Sequence, residues 1–261
     1  MQSNKILTLL SDFGLGDVYV GAIKGAIAQV NPTLNVIDLT HQIPPQSIAA
    51  ARFCLMNVYA YFPSGTVHVA VVDPGVGSTR RAIAVEFGQG YLVGPDNGLF
   101  SGILSQSPAL TAVELTNPRY WRTAAPSNTF HGRDIFAPVG AHLASGIAIA
   151  QLGETIDVNT LVQLDVAPLR TTPTAIYGCI QYIDGFGNAI SNIPGSCVQE
   201  RWNVIVNGLH IPGCKTYSDV EIGKAIALVG SHGYVEIAIA NGNACYQLQL
   251  ELGTQVQVLI R

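Results

Sequence analysis

The chain has few charged residues. Asp, Glu, Lys and Arg together make up 11% of its 261 residues, whereas soluble domains typically contain about 25%. The formal net charge is −4 and no run of Lys or Arg occurs, which argues against a surface for nucleic acid or anionic membranes. Because hydrophobic residues reach 48%, such sparse charge predicts that another subunit covers part of the surface.

Membrane and export signals are also lacking. No apolar run approaches the ~20 residues that span a bilayer, and the apolar stretch near the start is too short for a signal peptide. The five cysteines are widely spaced and include no Cys-x-x-Cys pair, which is typical of reduced thiols that serve in packing. These features predict a cytoplasmic protein with no membrane partner.

The first half of the chain alternates strand-like and helix-like segments. Apolar, β-branched runs predict strands at residues 6–10, 35–39 and 66–72, and helical spacing predicts helices at 18–30 and 47–61. This order predicts an α/β N-terminal domain with a mainly parallel sheet and helices on both faces.

The remainder of this half continues with strands at 82–87 and 91–94. The Gly-Gln-Gly segment between them predicts a hairpin. A further helix is expected at 133–146, where Pro138 should bend the helix or mark its first turn. Ser47 is a plausible N-cap for the second helix.

From about Leu164 the pattern changes. Residues 165–174 are interpreted as a linker that divides the chain into domains of residues 1–164 and 175–261. The second domain is predicted to be all-β and barrel-like, because short β-rich runs alternate with Gly and Asn turns. Its strands are expected at 175–183, 202–206, 225–229, 235–240 and 256–260.

An acidic residue follows the first predicted strand. Asp12 lies in a Gly-bearing segment that lacks the spacing of a dinucleotide-binding fingerprint. Its carboxylate could accept hydrogen bonds from both vicinal hydroxyls of a sugar. The alternative is a helix N-cap, a role for which Asp17 is the better candidate.

A second acidic residue, Asp73, ends the strand at 66–72. A glycine-rich turn and two arginines, Arg80 and Arg81, follow within a few residues. Strand ends in α/β sheets are where ligands usually bind, so this segment is a candidate site. The alternative is a loop salt bridge, which contributes little to stability when it is exposed.

One histidine stands beside other polar residues. His131 precedes the predicted helix at 133–146 and neighbours Arg133 and Asp134. The partial positive charge of a helix N-terminus would disfavour its protonation. A lone histidine is more often structural than catalytic, but these neighbours favour a functional role.

Six short motifs occur in a single order along the chain. They are Ser11-Asp12-Phe13-Gly14, Asp73-Pro74-Gly75-Val76-Gly77 with Arg80, Pro95-Asp96-Asn97-Gly98-Leu99, Phe130-His131-Gly132-Arg133-Asp134, Asp184-Gly185-Phe186-Gly187-Asn188 and Ser231-His232-Gly233-Tyr234. In these motifs the chain resembles the S-adenosyl-L-methionine (SAM) hydroxide adenosyltransferases, relatives of the bacterial fluorinase and chlorinase. The resemblance implies an α/β domain, a β-barrel domain and a homotrimer with active sites at subunit interfaces.

The resemblance also implies an activity and its residues. SAM would be the substrate, hydrolysed to adenosine and L-methionine without a metal or another cofactor. Asp73, Arg80 and His131 match the trio that handles the nucleophilic water. The implied substrate contacts are Asp12 with the ribose hydroxyls, Asp184 with the methionine ammonium, Ser231 with the methionine carboxylate, and Phe186, Asn188, Tyr217 and the Ala244 backbone with adenine.

Two other functions stay open. One is 5′-halogenation of SAM by chloride, although halide-using relatives have a tyrosine in place of Asp73 and the fluoride user has a serine in place of Gly132. The other is a protein that binds SAM or adenosine with little turnover. In all these functions Arg81 is expected to have a structural or surface role.

Overall fold

The computed structural model describes residues 5–199 and 201–260. The chain divides into two compact units, with the boundary between Leu164 and Asp165. We call them the N-terminal and C-terminal units. Arg170–Thr171, within the segment that the sequence predicted as a linker, form a short strand of the C-terminal unit.

The N-terminal unit contains a mixed β-sheet. Its strands run in the order β2-β1-β3-β5-β4-β6-β7. Those strands are β1 (Ile6–Ser11), β2 (Asn35–Thr40), β3 (Thr66–Val71), β4 (Ala82–Phe87), β5 (Gly90–Pro95), β6 (Ala109–Glu114) and β7 (Glu154–Ile156). The α/β prediction for this domain is confirmed, and the expected strands are all present within one or two residues.

The sheet is less parallel than the sequence suggested. The pairings of β1 with β2, β1 with β3 and β3 with β5 are parallel. The pairings of β4 with β5, β4 with β6 and β6 with β7 are antiparallel. The reversal begins at the predicted hairpin, since two residues between β4 and β5 leave no room for the crossover that a parallel pair needs.

Four helices accompany this sheet in the described part of the N-terminal unit: α1 (Tyr19–Val30), α2 (Ile48–Val58), α3 (Ser101–Gln106) and α4 (Ala137–Ala144). Ser47 caps α2 as predicted, because its hydroxyl accepts the Ala50 N–H. Asp17 is not the N-cap of α1. That position belongs to Val18, whose side chain makes no capping bond.

The predicted helix at 133–146 is two different elements. A π-helical turn, Gly132–Phe136, precedes α4, and Pro138 lies in the first turn of α4. Proline has no N–H to give to the carbonyl four residues earlier, which is that of Asp134. The Arg122 N–H donates to this carbonyl instead, at 2.9 Å. The proline therefore frees a backbone group that ties a distant segment to the turn.

The apolar core of the N-terminal unit lies between β1, β3 and the helices α1 and α4. Leu7 and Val69 point from these strands into the core. Gly140 permits the close approach of α4, since a Cβ at this position would lie 2.5 Å from the Val69 side chain. α2 packs against α3 and also contacts β1.

The C-terminal unit is an antiparallel, nearly closed sheet, as the sequence predicted. Its order is β12-β11-β15-β9-β10-β14-β13, and β8 pairs with β9. These strands are β8 (Arg170–Thr171), β9 (Ala175–Ile183), β10 (Ala189–Pro194), β11 (Trp202–Val206), β12 (Leu209–Pro212), β13 (Ala225–Val229), β14 (Tyr234–Ile239) and β15 (Gln255–Ile260), with one short helix, α5 (Ala244–Gln247). A bridge between Gly213 and Ala227 brings the two outer strands together.

Three further findings concern the described residues alone. No helix there is long and apolar enough to cross a membrane. No group of three or more His, Cys, Asp or Glu side chains within residues 5–199 and 201–260 has the arrangement of a metal site. All five cysteines fall in this part of the chain and none of them forms a disulfide there.

Candidate active site

Two predicted site residues follow neighbouring parallel strands. Asp12 comes directly after β1 and Asp73 comes two residues after β3, and these strands pair with each other. Because the carboxyl ends of parallel strands share one edge of a sheet, the fold brings both carboxylates to one cavity of about 410 Å³. The cavity is lined by Asp12, Phe13, Tyr19, Pro45, Gln46, Val71, Asp73, Pro74, Val76, Thr129, Phe130, His131 and Gly132.

At this cavity Asp73, Arg80 and His131 form one hydrogen-bonded trio. The Arg80 Nε–H donates to both Asp73 carboxylate oxygens, at 2.9 and 3.1 Å, and its Nη2 makes a further short contact with Asp73 Oδ2. The same Nη2 lies 2.8 Å from His131 Nδ1. The side chains of Arg80 and Asp73 are only 11% and 5% exposed. The pair is thus a buried fork, not the exposed loop bridge that was the alternative.

The protonation state of His131 follows from this geometry. Arg80 has N–H donors and no acceptor, so His131 Nδ1 must be the unprotonated, accepting nitrogen. Burial, followed by the positive charge of Arg80, lowers the pKa of His131 below its usual value. The imidazole is therefore neutral near pH 7 and carries its proton on Nε2. The direction expected from the helix N-terminus is correct, but burial and Arg80 are the causes.

A glycine allows the Asp73 loop to meet the His131 segment. Gly77 has a φ of +77°, and a Cβ at this position would lie 2.5 Å from the Asn128 carbonyl oxygen. Glycine adopts this backbone conformation without strain and has no Cβ to collide. The approach of the two loops sets the distance from Arg80 to His131.

The acidic neighbour of His131 supports the segment from beneath. Asp134 is fully buried and accepts hydrogen bonds from Arg122 Nε at 2.6 Å, Arg133 Nε at 2.7 Å and the Ser127 N–H at 2.9 Å. Burial alone would raise the pKa of Asp134, but these hydrogen bonds lower it far below its usual range. Asp134 and Arg133 thus hold each other and the residues around His131. Arg122 was not singled out from the sequence, which carries no local signal for a partner twelve positions away.

The Asp12 carboxylate is held by a backbone N–H from the segment that follows β2. Its Oδ2 accepts the Gln46 N–H at 2.7 Å, and Gln46 itself has a φ of +64°. The adjacent backbone is held as well, because the Gly14 N–H donates to the His41 carbonyl at 2.7 Å. Gln46 was another residue that the sequence did not identify, since only the fold brings it next to Asp12.

Aromatic side chains form one wall of the cavity. The rings of Phe13, Tyr19 and Phe130 pack against one another with centroid distances of 5.3 to 6.0 Å. Phe13 and Phe130 belong to the recognised motifs, but no role was predicted for them. The cavity therefore has an aromatic side and a side with two carboxylates.

Arg81 points elsewhere. Its guanidinium donates to Asp96 Oδ2 at 2.9 and 2.5 Å and to Thr160 Oγ1 at 2.9 Å. Asp96 in turn accepts the Val162 N–H at 2.9 Å. Arg81 therefore anchors the end of the N-terminal unit and does not line the cavity.

The C-terminal unit has its own pocket, of about 400 Å³. It brings together three of the predicted adenine contacts, Phe186, Asn188 and Tyr217. Asn188 is buried, whereas Phe186 is 80% exposed. Ile239, Asn241 and Gly242 complete the lining.

The other three predicted contacts of this unit lie outside the described lining of that pocket. Asp184 closes its own turn, because its Oδ1 accepts the N–H groups of Phe186 and Asn188, each at 2.9 Å. Ser231 is exposed between β13 and β14. Ala244 is fully buried at the first position of α5.

Comparison with known proteins identifies the family. A model described as the SAM hydroxide adenosyltransferase N-terminal domain matches residues 7–153, and one described as the C-terminal domain matches residues 178–257. The chain belongs to the SAM hydroxide adenosyltransferase family. The resemblance stated from the motifs is thereby confirmed.

This family member is similar over nearly its whole length to several named proteins. The (R)-S-adenosyl-L-methionine hydrolase of Thermus thermophilus is 41% identical, over 96% of this chain and 98% of the relative. That of Salinispora tropica is 40% identical, over 97% of both chains. A fluorinase from Nocardia brasiliensis is more distant, at 25% identity over 98% of this chain and 97% of the fluorinase.

Solved structures share the fold of this family member. A crystal structure of a Thermotoga maritima protein has a TM-score of 0.91 and 31% identity, covering 98% of this chain and all of that chain (100%). A crystal structure of a Thermus thermophilus protein has a TM-score of 0.83 and 38% identity, covering 97% of this chain and 99% of that chain.

Proposed function

We propose that this protein hydrolyses SAM to adenosine and L-methionine by attack of water on C5′ of the ribose. The observation that carries the proposal is the hydrogen-bonded Asp73–Arg80–His131 trio, of which Asp73 and His131 line the same cavity as Asp12. The names of the hydrolase relatives point to the same reaction and specify the (R) form of the substrate.

The reaction is an in-line displacement. A water oxygen forms a bond to C5′ while the bond from C5′ to the sulfonium sulfur breaks, and its electron pair stays on sulfur as the neutral thioether of methionine. One proton leaves the water. Because the leaving group is already activated by its positive charge, we propose that no metal or other cofactor takes part. A metal chelator should then leave the rate unchanged.

Water is a weak nucleophile in this reaction until it loses a proton, and the pKa of free water is ~15.7. A guanidinium is a permanent cation in proteins, and we propose that the one on Arg80 stabilises the developing hydroxide. His131 offers its Nε2–H as a second donor to the water oxygen, because its Nδ1 already accepts from Arg80. The remaining acceptor of the trio is Asp73, whose carboxylate oxygens have further lone pairs. We assign proton acceptance to Asp73.

Positioning supplies a further part of the acceleration. A water held in line at ~3 to 3.5 Å from C5′ reacts far faster than one that must diffuse to it. We propose that the following residues hold SAM for this attack: Asp12 on the ribose, Asp184 and Ser231 on the methionine end, and Phe186, Asn188, Tyr217 and the Ala244 backbone on adenine.

The direct test is incubation with the (R) and (S) forms of SAM, followed by chromatography for adenosine and methionine. In ¹⁸O-labelled water the 5′-hydroxyl of adenosine should acquire the label. Label that stays wholly in the solvent would rule out direct displacement. Formation of 5′-chloro-5′-deoxyadenosine in the presence of chloride would indicate the halogenase alternative, and tight binding without product over hours would indicate a binding protein.

We further propose a homotrimer with its active sites at subunit interfaces. Support comes from the low charge content and from exposed apolar side chains such as Val18, at 80%, and Tyr246, at 84%. Sedimentation equilibrium should give three times the chain mass, and a monomer that is fully active would contradict this proposal. A cytoplasmic location is proposed from the wide spacing of the five cysteines and the absence of a Cys-x-x-Cys pair in the sequence, and cell fractionation checks it.

A further inference from the structure

A buried carboxylate in the C-terminal unit has no part in the reaction as proposed. Glu236, on β14, is 3% exposed. A buried carboxylate is costly unless hydrogen bonds compensate for the lost water. Glu236 has two such bonds: its Oε1 accepts the Tyr217 hydroxyl at 2.6 Å, and its Oε2 lies 3.0 Å from His232 Nε2.

Both partners act as donors to Glu236. His232 Nδ1 accepts the Tyr234 N–H at 3.1 Å, so the imidazole proton lies on Nε2 and points to the carboxylate. Burial, followed by the hydrogen bond to Glu236, raises the pKa of Tyr217, which keeps its hydroxyl protonated and donating. An ionised Glu236 therefore satisfies both bonds without competition.

The two partners come from separate segments that face substrate in the proposed function. Tyr217 belongs to the turn Tyr217–Asp219 and lines the pocket of Phe186 and Asn188. His232 directly follows Ser231 in the connection between β13 and β14. Gly230 leaves room for this arrangement, since a Cβ there would lie 2.4 Å from the His232 ring and 2.8 Å from Glu236 Oε2.

The role of Glu236 is separable from the folding of the turn. The backbone of Tyr217–Asp219 is held by its own capping box, in which the side chains of Thr216 and Asp219 bond to backbone N–H groups. What Glu236 adds is the direction of the Tyr217 ring, because the hydroxyl is committed to Oε1. The Tyr217 hydroxyl is thus bonded to Glu236 while the residue lines the pocket.

We propose that Glu236 is a positioning residue for nucleoside recognition, which holds the Tyr217 ring and the Ser231–His232 segment in their binding positions. The inference rests on the proposed function for the identity of the ligand. A side chain that is ordered before binding costs less to immobilise in the complex. Loss of the Glu236 bonds should therefore weaken binding and leave the chemical step intact.

The test is Glu236→Gln, measured by the calorimetric Kd for adenosine and by the KM and kcat for SAM. A glutamine retains the size but has an NH2 group in place of one carboxylate oxygen, so it cannot keep one accepting oxygen opposite each of the two donors. We expect Kd and KM to rise about 10-fold and kcat to stay within about 2-fold. Glu251→Gln, at an exposed position of the same unit, is the matched control and should bind as the wild type does.

A double-mutant cycle with Tyr217→Phe separates positioning from general damage to the fold. If Glu236 acts through Tyr217, Glu236→Gln should have little additional effect on the adenosine Kd in the Tyr217→Phe background. Full additivity of the two changes would overturn the inference. So would wild-type adenosine affinity in Glu236→Gln, or a loss confined to kcat.

Two outcomes distinguish this inference from the proposed function. If wild-type protein neither binds adenosine nor cleaves SAM, the function and the inference both fall. If wild-type protein does both and the Glu236 variants match it, the inference alone falls. Should Glu236→Gln fail to fold, Tyr217→Phe provides the test, because it also removes the hydrogen bond between Tyr217 and Glu236. An unchanged adenosine Kd in this variant would overturn the inference.

Discussion

Replacing Arg80 by lysine tests whether the shape of the guanidinium, and not only its charge, is needed for the chemistry. Arg80 donates from two nitrogens to Asp73 and from Nη2 to His131. A lysine keeps the positive charge, but its three N–H donors share one nitrogen and cannot reproduce the planar fork of a guanidinium. We expect Arg80→Lys to keep either the Asp73 contact or the His131 contact, but not both in the original geometry.

The expected fall in kcat for Arg80→Lys follows from the hydrogen bonds that this variant loses in the transition state. A hydrogen bond to a charged group contributes about 1.5–3 kcal/mol, and removal of one donor to a developing oxyanion typically lowers kcat by ~10²–10³. Because Arg80 and Asp73 are nearly buried, solvent offers little compensation. We therefore expect kcat to fall ~10²–10³ while KM stays within about 3-fold, the pattern of an interaction made mainly in the transition state.

The assay is steady-state formation of adenosine, with SAM affinity measured separately by calorimetry. Arg81→Lys is the control: it is the same substitution one position along, at a guanidinium that also bonds to a buried carboxylate, that of Asp96. Its kcat should stay within about 2-fold of wild type because the Arg81 guanidinium bonds to Asp96 and Thr160 and not to Asp73 or His131. Wild-type turnover by Arg80→Lys, or an equal loss in both variants, would refute the assignment of Arg80.

Three further predictions follow from the same contacts. The acid limb of the kcat profile should have its midpoint below pH 6.5, the ordinary pKa of histidine. The reason is that His131 has a lowered pKa and can accept from Arg80 only when Nδ1 is unprotonated. A midpoint above pH 6.5 would contradict this. Asp134→Asn should lower the free energy of unfolding at pH 7 by about 2–3 kcal/mol in urea titrations, a value reduced from the fully buried case because Arg122 and Arg133 are partly exposed. Since the folded-state pKa of Asp134 is depressed, this contribution should be present above about pH 4 and shrink as the pH falls below it, so a difference that grew in acid would be inconsistent. Gly77→Ala should cost about 1–3 kcal/mol from its φ of +77° and the clash with Asn128, whereas Gly75→Ala, whose Cβ would meet atoms no closer than 3.4 Å, should unfold at nearly the same urea concentration as wild type.

Strands were predicted well where local pattern was enough. The β-rich runs that became β9, β11 and β13 have the expected bounds, because each run ends at a Gly-bearing turn that is visible in the sequence. β10 and β12 were not predicted. They lie beside Gly and Asn turns, where short segments have little periodicity to distinguish them from loops.

Helix ends and special turns were less predictable, because long-range contacts determine them. The π-helical turn before α4 depends on Pro138 and on an Arg122 N–H that reaches the Asp134 carbonyl from outside the helix. Likewise Val18 is the N-cap of α1 although Asp17, one position earlier, has the better capping side chain. Local propensity is a weak guide wherever tertiary contacts compete with it.

The sequence by itself determined the two kinds of domain, the order of most strands and the motifs that resemble the family, because these depend on periodicity and on residues close together in the chain. Only the tertiary structure decided that the bond between Asp73 and Arg80 is buried, that Arg80 sets the tautomer of His131, and that Glu236 joins Tyr217 to His232. Arg80 and His131 are 51 residues apart in the chain, and Tyr217 and Glu236 are 19 residues apart. The energy of such a contact depends on burial and on the direction of each donor, and both are set by packing.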